Sequence, residues 1–586
     1  MAFVKDILPN SIEADGAAVH QTSPSYVLTF IPWVNREIKD DKQVDPNYLD
    51  TQKPYIVVND AVSITVSDSK SSPQKSLQVT LVSTDVNYST AVKAGDFVFV
   101  NLINHEQKAR EIHAKVLALK PINGVNDGFK GFFKVKTVTR SMIESGNGIK
   151  SYRYQISAAA FSEFNSVILY NPALQAAFNQ QGSEGLFMAL VGEFFKDIVG
   201  SIEVDTLVRL YIKILLGKSP KDKTPDIVKY AQSHFGVPSG VSKLMGMDEA
   251  KHINQLYHVI TGLWKNPPNP QTDHERWNPH IPASSTDGPT FFQTSVINQG
   301  VKVKVYENWD RKNIWSIIMD TCNDPMNEVY TTFRISPVAD KIVPTFIMRQ
   351  KPFTNKGFEA EIPTSVYLDM PRWRLHPAMA KGYSFSTNDA LRFNFVQMFV
   401  DTGELGGAPT TTQVSLGNFV EDVEDIARNG MRPYIQTSRF GYISKQTKGD
   451  PYLSVKWSKV LADWVMNGHL KENGSIHCVG IEDAIATGDN LEFDGTVYHI
   501  ETITHTYSIN PMGFVSFHTD IGLSHGISLD GKDSKYSEMN QFTRISKATE
   551  DYQKDKHMPG ISEQQDRRTS FSQKSSEKPT EKRQKT

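Results

Sequence analysis

VKTVTRSMIESGNGIKSYRYQI, residues 135–156, and IETITHTYSINPMGFVSFHTDI, residues 500–521, are the two stretches that decide the fold. They align without a gap at a constant offset of 365 residues. Apolar and polar residues alternate on both sides of a central polar segment, a pattern typical of half-buried β-strands. Each stretch therefore predicts a strand, a glycine-containing turn and a second strand. The identical pairs are Thr137 and Thr502, Thr139 and Thr504, Gly148 and Gly513, Ser151 and Ser516, and Ile156 and Ile521.

A second likeness lies upstream of each stretch. Gly95-Asp96-Phe97 resembles Gly488-Asp489-Asn490, and a longer loop follows in the first copy. The candidate turn residues of the repeat are Gly95, Gly148, Gly488 and Gly513. Two hairpins of similar polarity can also look alike by chance, because alternation alone fixes the apolar positions. If the repeat is real, the chain carries two similar antiparallel β-barrels, and three chains would form a ring of six nearly equivalent positions.

The chain as a whole is predicted to be α+β and rich in β-structure. At 586 residues it is too long for a single core. Strand patterns dominate from Tyr26 to Ser162 and from Ile476 to Leu523, whereas apolar spacings of three and four predict helices between Leu186 and Leu215. The predicted domains are a first barrel domain (1–180), an all-α insertion ending in a Pro-rich linker (181–285), a mixed α/β domain (286–372), a second barrel domain (373–529) and a polar C-terminal arm (530–586).

Shorter elements are expected between these domains. Helices are predicted at 312–321, 420–428 and 457–467, and strands at 345–349 and 390–400. The C-terminal arm has isolated hydrophobic residues but no core of its own, so it is expected to become ordered only on a partner.

Charge and cysteine content exclude several classes of protein. The 63 basic and 65 acidic residues nearly cancel, so the whole chain lacks the charge of a nucleic-acid binder. Cys322 and Cys478 lie far apart and outside any zinc-binding spacing, and we expect two buried thiols. No stretch resembles a signal peptide or approaches the roughly 18 apolar residues of a membrane span. A soluble protein without stable membrane insertion is therefore expected.

Motifs that carry chemistry are missing or out of spacing. His105 and His113 are too far apart for the metal-binding pattern of two histidines on one helical face. Gly124, Gly128 and Gly131 lack the Lys-Ser/Thr pair of a phosphate-binding loop. Carboxylate pairs at one-turn spacing (Glu421 with Glu424, Asp422 with Asp425) indicate a solvated helix face. We predict no catalytic residue, no metal site, no cofactor and no enzymatic activity.

A resemblance to a known family lies in the predicted mixed domain. The segment 324–330 is followed by the segment 344–353, and their order and spacing are similar to phage tail baseplate hub proteins. The residues that carry the resemblance are Pro325, Asn327, Glu328, Arg349, Pro352 and Phe353. Gly474–Gly480, running into Gly488, is similar to the last barrel of that family. The resemblance covers 1–180 and 290–529, and the insertion 181–285 and the tail after 530 depart from the family.

The resemblance implies a structural role at a tail tip. The expected assembly is a homotrimer with two tail-tube-like barrels per subunit, forming a pseudo-sixfold ring between a hexameric tail tube and a trimeric central spike. Further expected partners are the tape measure protein, other baseplate proteins and DNA, which would pass through the lumen during ejection without sequence-specific binding. The implied location is the virion, after assembly in the host cytoplasm.

Two other functions remain open at the level of sequence. The first is a cell-wall-degrading enzyme of the tail tip, with the insertion 181–285 as its catalytic module, although that insertion shows no convergent set of His, Asp and Glu. The second is a spike protein of a type VI secretion system, a class that continues into a β-helix with short repeats. This chain ends instead in a polar segment.

Overall fold

The structure is a computed structural model in which part of the chain is described. The described residues are 4–8, 23–31, 56–72, 75–117, 122–144, 150–160, 201–203, 293–296, 302–304, 327–335, 342–350, 371–401, 413–438, 462, 465–466 and 468–528.

Strands make up most of the described residues. They are β1 Val4–Ile7, β2 Ser25–Ile31, β3 Ile56–Val58, β4 Ala61–Ser69, β5 Ser76–Ser83, β6 Phe97–Ile103, β7 Phe129–Glu144, β8 Lys150–Ala160, β9 Ser201–Glu203, β10 Gln293–Val296, β11 Lys302–Lys304, β12 Asn327–Ile335, β13 Ile342–Gln350, β14 Arg372–Leu375, β15 Ala380–Ser386, β16 Phe395–Asp401, β17 Gln413–Glu421, β18 Pro433–Ser438, β19 Glu472–Val479, β20 Asn490–Phe493, β21 Thr496–Ile509 and β22 Val515–Ser528. The helices are α1 Tyr88–Ala91, α2 Glu106–Leu117 and α3 Val423–Asn429, with short 3-10 turns at Pro377–Met379, Asp389–Leu391 and Gly468–Leu470.

The largest sheet has 14 strands. Its main path runs β1-β14-β20-β21-β4-β5-β8-β7-β6-β2-β3, and β22, β19 and β15 branch from β21 in that order. The alternating residues Leu77, Val79 and Leu81 of β5 are all buried, as the period of two predicts. Three smaller sheets contain β10-β13-β12, β11-β9 and β17-β16-β18.

The two predicted hairpins pair their strands in the same register. In β7 and β8, Val135 pairs with Ala158 and Val138 with Ile156, and a β-bulge lies between Val135 and Thr137. In β21 and β22, the corresponding pairs are Ile500 with Leu523 and Ile503 with Ile521, and the bulge lies between Ile500 and Thr502. Every one of these positions differs by 365. The prediction of two equivalent hairpins is confirmed. Both hairpins also carry a β-bulge at the same position, which the sequence did not reveal.

The equivalence extends to five strands. The order β4-β5-β8-β7-β6 in the first half of the chain matches β15-β19-β22-β21-β20 in the second. The outermost strand pairs, β4 with β5 and β15 with β19, also carry a bulge at the same position. In the first it follows Ala61, which pairs with Leu81, and in the second it follows Ala380, which pairs with Cys478. We call the first five strands the first repeat and the second five the second repeat.

A glycine turn fastens each repeat at its bulge. The amide of Gly95 donates to the carbonyl of Val135 at 2.8 Å, and the amide of Val135 donates to that of Asp96 at 2.7 Å. Gly488, Ile500 and Asp489 form the same two bonds at 2.8 and 3.0 Å. Both glycines have a positive φ, 95° and 81°, which side chains rarely adopt.

Several predictions need correction. The described strands do not close into two barrels, because β21 of the second repeat pairs with β4 of the first and so joins both repeats in one sheet. The predicted strand region 26–162 also contains α1 and α2. The helix predicted at 420–428 is present as α3, but it begins later because β17 extends to Glu421. In the predicted all-α insertion, β9 is a strand because it pairs with β11, a partner about a hundred residues away that local periodicity cannot reveal. The predicted helices at 186–199, 207–215 and 312–321 lie outside the described residues.

The two turn glycines give a matched test of packing. Alanine at either position should lose about 1–2 kcal/mol to the positive φ. A Cβ at position 488 would in addition collide with the hydroxyl of Tyr330, whereas one at position 95 would meet nothing within 4 Å. We expect Gly488→Ala to lower the midpoint of urea unfolding clearly more than Gly95→Ala. Equal losses would contradict this packing.

Candidate assembly interface

The described residues contain no candidate metal site and no membrane-spanning helix. Within them, no group of three or more His, Cys, Asp and Glu side chains could hold a metal ion. No helix in the described part of the chain is long and apolar enough to cross a bilayer. Cys478 is a buried free thiol, as predicted, and burial raises its pKa to about 12. Cys322 lies outside the described residues.

The carboxylates of α3 have structural partners. Asp422 caps the helix, since its side chain accepts a hydrogen bond from the amide of Asp425 at 2.9 Å. Asp425 accepts hydrogen bonds from Arg392 at 2.6 Å and from Asn394 at 2.9 Å. These two residues are therefore part of a hydrogen-bonded helix start and not the purely solvated face that the sequence predicts.

The structure brings the two halves of the family-like motif together. Asn327 and Glu328 begin β12, and Glu328 pairs with Arg349 of the antiparallel strand β13. The remaining motif residues, Pro325, Pro352 and Phe353, lie outside the described residues, as does the turn residue Gly148. Gly513 has a positive φ in the turn between β21 and β22.

One face of β12 contacts both repeats. Residues two apart in a strand point to the same side. On this side, Glu328 forms an ion pair with Lys70 at 2.6 Å, and Thr332 donates a hydrogen bond to Asp68 at 2.8 Å. Both partners belong to the first repeat or to the residue that follows its β4. On the same face, Tyr330 lies between Glu328 and Thr332 and packs on Gly488, and Arg334 lies beyond Thr332 and binds Asp489. Gly488 and Asp489 belong to the turn of the second repeat.

Asp489 is a deeply buried anion of this contact. Its side chain is 3% exposed and accepts hydrogen bonds from Arg334 and, at 3.0 Å, from the indole nitrogen of Trp373. The equivalent residue of the first repeat, Asp96, accepts instead from the amide of Lys93 at 2.8 Å. In the second repeat, the turn therefore anchors β12 and β14.

A loop of the second repeat is held by the first. Lys130 of β7 donates to the carbonyl oxygens of Ile481, Glu482 and Asp483 at 2.6, 3.1 and 3.1 Å. Asn104 donates to the carbonyl of Gly480 at 2.9 Å. Burial lowers the pKa of Lys130 to about 7. The loop 480–483 therefore supplies polar partners to an amine that the sheet would otherwise bury alone.

The repeats meet through the pairing of β21 with β4. The register runs antiparallel from Thr502 opposite Ser69 to Ser508 opposite Ser63. Near one end of this register, Ile64 faces Tyr507, and these residues are 0% and 4% exposed. Tyr26 packs its ring against Tyr507 at 4.8 Å and accepts a hydrogen bond from the amide of Ala61 at 2.8 Å. One face of this pairing is therefore buried in the core.

Sequence reasoning missed most of this interface. Arg334, Lys70 and Asp68 carry no motif, and only the likeness of Gly95-Asp96 to Gly488-Asp489 pointed to the turn at its centre. Helix α2 was also missed, although Ala109, Ile112 and Val116 have helical spacing and are buried.

Comparison with known proteins finds similarity only among solved structures. No protein-family model and no curated protein sequence matches the chain. It is similar to the 43 kDa tail protein of prophage MuSo2 from Shewanella oneidensis, with 9% identity, a TM-score of 0.37 and coverage of 86% of this chain and 98% of the other. It is also similar to a tail protein from Neisseria meningitidis, with 10% identity, a TM-score of 0.37 and coverage of 85% of this chain and 96% of the other. A third similar structure is an E. coli component of the type VI secretion system, with 6% identity, a TM-score of 0.29 and coverage of 80% of this chain and 73% of the other. TM-scores of this size do not by themselves establish a common fold.

The ion pair of Arg334 with Asp489 should be important for stability. Arg334→Met would leave the carboxylate of Asp489 buried without its cation, a change that typically costs about 3–5 kcal/mol. Arg374, whose side chain is 46% exposed beside Glu492 and Asp6, provides the control. Arg374→Met should cost about 1 kcal/mol or less in the free energy of urea unfolding. Similar losses for both variants would argue against the buried pair as an anchor.

Acid should weaken the junction through His505. This side chain is buried opposite Val66, and burial, with the positive charges of Lys130 and Lys75, lowers its pKa well below the ordinary value. Below that ordinary value the unfolded chain binds a proton that the folded chain excludes, so stability falls by up to about 1.4 kcal/mol per pH unit.

The free energy of unfolding, measured between about pH 7.5 and pH 5, should therefore fall less in His505→Gln than in the unmodified protein. His113→Gln, a change on partly exposed α2, serves as control and should keep the full acid sensitivity. An unchanged pH profile in His505→Gln would refute the assignment.

Proposed function

We propose that this chain is a structural hub protein of a phage tail tip. The observation that supports the proposal is the presence of two five-stranded repeats of equal register, joined side by side in one sheet by β21 and β4. Two equivalent units per chain allow a trimer to present six similar positions, and such an object can join a sixfold partner to a threefold one.

The proposed partners follow from this geometry and from the resemblance of the 324–353 region to tail hub proteins. In the trimer, the ring of six repeats would contact a hexameric tail tube, and the threefold side would contact a trimeric central spike. The tape measure protein, other baseplate proteins and passing DNA would be further contacts. Assembly would take place in the host cytoplasm and the product would stay in the virion.

The work of such a hub is mechanical, with no bond made or broken. The charges at the junction of the repeats support this role, because Arg334, Asp489 and Lys70 are engaged with each other or with protein neighbours and have structural roles. The insertion 181–285 and the arm 530–586 are proposed as contact segments for neighbouring subunits or the spike.

The proposal predicts a trimer in solution. Light scattering on the purified full chain should give three times the mass of one chain, and negative-stain images should show a ring with threefold or pseudo-sixfold symmetry. A chain that stays monomeric at every concentration, alone and with tail tube and spike proteins, would refute the proposed function.

A further inference from the structure

Two strand edges, one in each repeat, are open among the described strands. The first half of β7 pairs with β6, but its residues 137–143 pair only with β8. Strand β15 of the second repeat pairs only with β19. Open edges expose unpaired amides and carbonyls and invite pairing with another strand.

In the opposite repeat, the equivalent edge of each strand is occupied, because these two equivalent edges pair with each other. Residues 137–143 of β7 correspond to 502–508 of β21, and β15 corresponds to β4 of the first repeat. It is β21 and β4 that pair to join the repeats within one chain. Among the described strands, the chain therefore contains one complete junction and two halves of a second one that pair with no other described strand.

Exposure of apolar side chains follows the same division. Tyr507 is 4% exposed in the closed junction, and its counterpart Met142 on β7 is 56% exposed. Ile64 is 0% exposed, and its counterpart Tyr383 on β15 is 62% exposed. Met142 and Tyr383 are thus exposed at positions whose counterparts are buried in the internal junction. Exposed large apolar side chains at such positions indicate a surface that is covered in an assembly.

We propose that β7 of one subunit pairs antiparallel with β15 of a second copy of this chain, in the register of β21 and β4. The positions of β7 are 365 lower than the equivalent positions of β21, and those of β15 are 319 higher than the equivalent positions of β4. These two offsets convert the internal register into the proposed intersubunit register. The pairs are Ile143 with Gly382, Met142 with Tyr383, Ser141 with Ser384, Arg140 with Phe385 and Thr139 with Ser386.

The chemistry of the two edges fits this register. Met142 and Tyr383 would cover each other as Tyr507 and Ile64 do inside the chain. Ser141 and Thr139 would face serines, and small hydroxyl pairs are favourable across strands.

The contact is head to tail, because each chain contributes a β7 edge on one side and a β15 edge on the other. Heterologous contacts of this kind produce closed rings when the rotation permits. The inference deepens the proposed trimeric hub and rests on it, since three chains joined in this way alternate first and second repeats around a ring of six.

Disulfide trapping tests the register. In a Cys322→Ser background, the double variant Ser141→Cys/Ser384→Cys places two exposed thiols directly opposite each other across the proposed contact. Oxidation should give covalent dimers and trimers on a non-reducing gel, ending at the trimer. The second in-register pair, Thr139→Cys/Ser386→Cys, should do the same. The remaining native thiol, Cys478, is buried.

Matched controls use the same strands. Ser141→Cys/Ser386→Cys is two residues out of register, which lengthens the separation to roughly 7–8 Å, too far for a disulfide. Thr65→Cys/Thr506→Cys is the equivalent pair of the internal junction and should form a disulfide within one chain. This pair calibrates the geometry under the same oxidant.

The outcomes separate the interface from the trimer. In-register cross-linking without the out-of-register product supports the proposed pairing. If light scattering shows a trimer and the internal pair oxidises, but Ser141→Cys/Ser384→Cys does not cross-link, this interface is wrong and the trimer stands. Cross-linking of the out-of-register pair alone would also overturn the register. A chain that is monomeric throughout refutes both the interface and the proposed hub.

Discussion

The pairing of β21 with β4 is the interaction on which the rest of the structure depends. Without it, each repeat would present a further open edge, and Ile64, Val66 and Tyr507 would lose the neighbouring strand that helps to bury them. Backbone amides and carbonyls in such an edge must find partners when apolar side chains surround them. The pairing therefore makes two five-stranded units into one continuous sheet, and it explains why neither unit closes on itself.

Buried polar groups then fix how the second repeat sits on the first. Buried charges are tolerated when they are paired and hydrogen-bonded. Arg334, Asp489 and Trp373 meet this condition at the turn of the second repeat, and Lys70 and Glu328 meet it at the end of β4. All of these contacts converge on one face of β12. This strand therefore connects the two repeats across their junction.

The two repeats keep the same strand order but differ in what they attach to it. The first repeat places α2 between its third and fourth strands, where the second repeat has only the residues Asp494 and Gly495. Its Asp96 closes its own turn, whereas Asp489 is used to bind other segments. Because of this divergence at equal register, the two repeats present different surfaces at equivalent positions.

By itself, the sequence determined the two hairpins, because alternation, turn length and a constant offset are local properties that survive in the residues. It also pointed to the glycine turns, where a positive φ favours glycine. The tertiary structure alone decided that the repeats fuse instead of forming barrels, that β9 is a strand in a segment predicted to be helical, and that β12 bridges both repeats. These depend on which distant segments meet, and the period of a strand specifies which face it buries but not which partner it pairs with.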